Sequence, residues 1–141
     1  VDIANILHRD AIAGIVGKRT FERGEQCFAA GRVLDVRAAP GELRGLVVPQ
    51  EAGRAHYVVR IWVHDDGMAY QCSCPIGSEL RFCKHAVALA LAHLDRERRE
   101  RDALLALRTR LLAMASHDLV ERLVERARTN PELRALLEQL A

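Results

Sequence analysis

Within fourteen positions the chain sets out three thiols and an imidazole: Cys72, Cys74, Cys83 and His85, in the run CSCPIGSELRFCKH. The pattern is Cys-x-Cys, a gap of eight residues, then Cys-x-His. Sulfur and nitrogen donors suit zinc, and four protein ligands close its tetrahedral shell with no place left for water or substrate. The set therefore reads as one structural Zn2+ held by Cys72, Cys74, Cys83 and His85, not as a catalytic metal. An iron–sulfur cluster would ask for four cysteines, or for two histidines in the Rieske type. The fourth cysteine, Cys27, lies 45 positions before Cys72 and reads as a small core side chain.

Two elements must bring these pairs together. Cys72 and Cys74 stand two apart on a predicted strand, so their side chains leave on the same face. Cys83 and His85 open a predicted helix, where free N–H groups and the macrodipole favour a thiolate. Pro75 and Gly77 supply the turn between the pairs. A hairpin end and a helix start would each donate two ligands, in a ββα zinc-binding module.

The rest of the chain reads as α+β in three regions: N-terminal helices over 1–31, a sheet with the zinc module over 32–95, and a C-terminal helical extension over 96–141. Asp2 is placed as the first N-cap, with Ile3, Ile6, Leu7, Ala11 and Ile15 on one helical stripe that ends at Gly17. Thr20 would cap a second helix through Ala30, with Gly31 as its left-handed stop. The apolar period then changes to two over 32–38, 42–48, 56–63 and 68–74. Turn signals at Pro40-Gly41, at 49–53 and at Asp65-Asp66-Gly67 make this a four-stranded antiparallel meander. Tyr57, Val59, Ile61 and Val63 should share one face of the third strand, and Val58, Arg60, Trp62 and His64 the other.

No Gly or Pro occurs between Ser78 and Pro131, so the helix from about Cys83 should run past Leu94. The run DRERRERD (95–102) either extends it or bends away as a linker. Ser116 is placed as the N-cap of the next helix, and Asn130-Pro131 as the restart of a short last one.

Composition bounds the function. Residues 1–95 carry 11 Lys or Arg against 11 Asp or Glu, and residues 96–141 carry 10 against 8, which gives the overall +2. Nucleic-acid affinity rests on a basic face, so any such face here must be local. Arg81 and Lys84, beside the second ligand pair at a helix start, and Arg60 on the sheet are its candidates. The strand arginines Arg37, Arg44, Arg54 and Arg60 compete with a plainer reading, as surface charges partly paired with Asp35, Glu42 and Glu51. Trp62, Tyr70 and Phe82 read as core before they read as base-stacking groups. No apolar run approaches the roughly 20 residues of a membrane span. Cysteines clustered beside a histidine suit a reducing, cytoplasmic setting better than a disulfide framework. The first residue is Val1, not Met, which suits a piece of a longer protein. None of the nucleophile-elbow, phosphate-loop or His-Glu-x-x-His motifs is present, so the expectation is a binding module and not an enzyme.

CSCP…CKHAVALALA resembles the SWIM zinc finger, and FERGEQCFAAGRVLDVRA resembles the segment that precedes that finger in bacterial SWIM proteins; together they cover about residues 20–94. The resemblance implies a ββα zinc module that binds DNA or proteins, found in some relatives beside helicase-type machines. It carries over the four ligands only. The expected function is thus a zinc-stabilised, nucleic-acid-associated module. The alternative is a protein-interaction module that uses the C-terminal helices. A thiol redox switch would need labile cysteines, against which zinc ligation argues.

Overall fold

The computed structural model describes every residue except 1, 2, 4, 5, 66, 78–80 and 141. The chain is α+β and divides into two compact units, residues 1–98 and 99–141.

In the first unit, α1 (Arg9–Val16) and α2 (Lys18–Ala29) precede β1 (Val33–Ala39), β2 (Glu42–Val47), β3 (Tyr57–His64) and β4 (Gly67–Cys72). The strands form one antiparallel sheet in the order β1-β2-β3-β4. The expected meander is therefore present, and the turns between hydrophobic runs decide it. The Asp66 part of the last turn lies outside the described residues. β1 departs from regular pairing between Leu34 and Arg37, where Asp35 takes φ 43°. Asp tolerates that left-handed conformation better than most residues, because its short side chain bonds locally.

Alternation on the strands sorts the sheet into two faces. Leu43, Val47, Val59 and Ile61 are fully buried, and Leu43 pairs with Ile61 across the strands. Each such side chain contributes about 1.5–3 kcal/mol through burial. The opposite face keeps Arg44, Arg60 and Trp62 at or near solvent, as the period of two requires.

Against the inner face lies the start of α3 (Lys84–Ala113). Ala86 to Leu91 are all buried, so this helix is apolar on every side and sits inside the core. Two glycines let it approach. A Cβ on Gly45 of β2 would collide with Leu89, and one on Gly24 of α2 would collide with Val87. The first half of α3 is therefore gripped between sheet and α2. His93 is buried there too, with Nε2 lacking a hydrogen-bond partner among the described residues.

Helix ends are where the sequence misleads. Asp2 lies outside the described residues, and α1 begins at Arg9 with His8 as its cap: Nδ1 of His8 accepts from the Ala11 N–H at 3.1 Å. A histidine acceptor substitutes for the usual oxygen. Ile12 is fully buried, whereas Ile15 of the expected stripe is 48% exposed. Thr20 is inside α2, whose N-cap is Gly17. The stop at Gly31 is as expected, with φ 66°. Gly31 N–H bonds Phe28 O and Arg32 N–H bonds Cys27 O, the paired bonds of a Schellman ending.

The second unit contains the end of α3, then α4 (Ser116–Ala127) and α5 (Pro131–Leu140). The charged run at 95–102 is helical, part of an unbroken α3. Ala115, not Ser116, caps α4, without a side-chain bond. Asn130 caps α5 as expected, its Oδ1 accepting from Leu133 N–H at 2.9 Å, with Pro131 in the first turn. No helix among the described residues is long and apolar enough to cross a membrane.

Candidate metal centre

Cys72 is the last residue of β4 and pairs with Val59 of β3. The chain then makes a tight turn that Ser73 holds to the sheet. Its N–H donates to Val58 O at 3.0 Å, and its Oγ accepts from Val58 N–H at 2.9 Å. Cys74 Sγ accepts from the Gly77 N–H at 3.2 Å, which closes the Cys74–Gly77 knuckle on its own sulfur. Gly77 is needed for space. A Cβ there would fall 2.6 Å from the Cys72 carbonyl oxygen and closer still to the Cys72 Cβ.

The second pair comes from the start of α3. Cys83 precedes the helix, and its carbonyl accepts from Val87 N–H at 3.2 Å, which makes it the N-cap. Its sulfur also accepts from Ala86 N–H, in the place a serine or aspartate oxygen would take. His85 lies within the first helical turn and turns Nδ1 to the sulfurs, 3.9 Å from Cys72 Sγ and 3.8 Å from Cys83 Sγ. The Tyr57 ring lies 4.5 Å from the His85 ring and fixes its plane. Tyr70 and Phe82 meet edge to face at 4.5 Å.

All four donor atoms lie within 4.8 Å of one another, and all four residues are buried. Zn–S of about 2.3 Å and Zn–N of about 2.0–2.1 Å put the edges of a tetrahedron at roughly 3.5–3.8 Å. The donors stand slightly wider, with His85 Nδ1 3.8–3.9 Å from two sulfurs and no pair beyond 4.8 Å, and the buried Cys3His set fits one structural zinc. With four protein donors, the ion would polarise nothing and activate no water. Its contribution is to tie β4 to α3.

The sulfurs are unequal. Cys83 is pulled down to about 4, first by the hydrogen bond from the Cys72 thiol and then by His85 and the Ala86 N–H. Cys72 moves strongly upward, because it keeps the shared proton and is buried. Burial raises Cys74. Zinc binding replaces these protons with a dication that all three thiolates share. Cys27 is buried but outside the donor cluster, and burial pushes its thiol up, as suits a core side chain.

The candidate contact residues separate. Arg81 and Lys84 line one groove of about 450 Å³ beside the metal ligands, together with Arg23, Ile15 and Ile76. Lys84 Nζ reaches Gln50 Oε1 at 2.9 Å. Arg60 lines a different groove, with Arg44, Gln71 and Gly77. It stacks on Trp62 at 4.7 Å and shares Glu42 with Arg44. Arg44 and then Arg60 hold the Glu42 carboxyl below its ordinary value. Arg37 pairs with Asp35 and Arg54 with Glu51. Each of these four arginines is thus paired with an acidic neighbour. Arg23 and Ser73 are the additions that sequence reasoning missed. Only folding brings Arg23 to the groove, while Ser73 stood in plain sight inside the Cys-x-Cys.

No curated protein and no solved structure matches the chain. The match to a known family begins at Tyr57, so the resemblance drawn for the stretch from residue 20 is not part of it. Residues 57–94, which hold β3, β4, the knuckle and the buried start of α3, match the SWIM zinc finger family.

Proposed function

We propose that the chain is a zinc-stabilised binding module that docks nucleic acid in the groove beside the metal. The observation that carries this reading is the groove's charge. Arg23, Arg81 and Lys84 line it, and no described lining residue is acidic. The groove also lies at the start of α3, where the positive end of the helix dipole favours phosphate oxygens. A zinc with three thiolates adds about one negative charge behind it, so the net attraction is modest. Three phosphate contacts position a module without reading sequence. The SWIM resemblance, not the geometry, supports service beside a helicase-type machine.

Such binding should fall steeply with salt. Three neutralised phosphates give a slope of about −2.7 in log K against log salt on duplex DNA, or about 40-fold between 50 and 200 mM. Arg81→Ala with Lys84→Ala should bring the slope to about −1 while zinc content stays at one per chain. Fluorescence anisotropy on a labelled duplex reads both. Absence of affinity at low salt, or affinity indifferent to salt, would remove the reading. We propose further that the module is not an enzyme, since four donors close the metal. The apolar surface of residues 99–140 favours a second reading, protein interaction.

A further inference from the structure

Among the described residues from 99 to 140, not one is buried. Nine large apolar side chains there are 38–76% exposed. α4 and α5 do meet, along half-buried Leu119, Leu123, Leu133 and Leu137, but that seam uses only one face of each helix. Val120 and Val124 stay outside it, at 56% and 58% exposure. On α3, Leu104, Leu107 and Leu111 follow at intervals of three and four, and Met114 stands just past the helix end. That spacing puts the three leucines on one face of the helix, the short apolar stripe that a second helix covers. A unit of this size without a buried core needs something to cover it.

We propose that this cover is a second copy of the chain, and that residues 99–140 are a dimerisation element. Two features argue for a copy. Summed over these nine side chains on three helices, the exposed apolar surface is on the order of 1,000 Å², against roughly 300–600 Å² for the largest single patch on a typical monomer. It is close to the roughly 800 Å² per partner of a stable interface. Charge is the second feature. Residues 99–141 carry 8 arginines against 7 carboxylates. Around the apolar groove of about 330 Å³ between α4 and α5, Arg128 and Arg134 stand with Glu138. A two-fold interface sets the same patch against itself, so a rim of one sign would repel. A mixed, nearly neutral rim is self-complementary.

The proposal stands independently of the nucleic-acid reading, and the test omits DNA. Light scattering on the zinc-loaded full chain should give twice 15.8 kDa at micromolar concentration and above. Leu107→Glu with Leu111→Glu should weaken pairing by on the order of 100-fold or more, since each places a charge in the α3 stripe. Zinc content of that variant shows that the first unit is intact. On the unmodified chain, hydrogen exchange of 99–140 should slow as protein concentration rises. A monomer at 100 µM would overturn the proposal and assign the surface to a different partner (about 100 µM is well above the dissociation constant of a standard interface). So would a dimer that survives the double substitution, or exchange that ignores concentration.

Discussion

Cys83 does two jobs at one atom. Its sulfur caps α3 and faces the other donors, so the helix start and the metal site share a residue. The Cys72 thiol, then His85 and the Ala86 N–H, all favour the thiolate there, and Cys83 should be ionised at neutral pH before any metal arrives. Cys72 and Cys74 shift the other way and hold their protons. Zinc uptake by the folded, metal-free chain should therefore release protons, among them those of Cys72 and Cys74. Titration calorimetry near pH 7 in buffers of different ionisation enthalpy counts them. Release of none would contradict the two protonated thiols. As pH falls, protons compete for all three sulfurs, and zinc is lost on the acid side. At this scale the four ligands were legible, because donor type and spacing are properties of the sequence. The crowding of Gly77 against Cys72 was not, since it exists only once the knuckle has closed.

The elements exist to hold α3. Its buried half is fixed from one side by β2, through Gly45 and Leu89, and from the other by α2, through Gly24 and Val87. Zinc then pins its first turn to the end of β4. Gly24→Leu should force Val87 aside and strain the helix pair. Thermal unfolding should register a loss of about 1–3 kcal/mol, the usual penalty of overpacking. An unchanged melting temperature would show that α2 is free to yield. The meander and the helix order were legible because period-two runs and turn residues leave few alternatives. Several helix starts were not. His8 caps α1 with a ring nitrogen, and Ala115 precedes α4 without any side-chain bond, so neither carries the Ser, Thr, Asp or Asn that marks a cap. The local bulge of β1 likewise carries no sequence signal beyond an aspartate.

Across the whole molecule, two units carry opposite surfaces. Residues 1–98 have a buried core and a metal clasp, and residues 99–141 have helices whose apolar faces meet water. The unbroken helix through 95–102 could not be settled from sequence. Eight consecutive charged residues serve a solvated helix as well as a linker. The exposure of the last helices was equally hidden, since amphipathic periodicity reads the same whether a face is covered or bare.

The stability of the first unit should rest in large part on the metal, because binding energy at a closed structural site adds to folding energy. The direct measurement is elemental analysis of reduced, dialysed protein, paired with its melting curve. One zinc per chain is expected, with the melt falling sharply in a strong chelator and Cys74→Ser reproducing the fall without one. Zinc near zero in protein that still melts cooperatively would contradict the central claim.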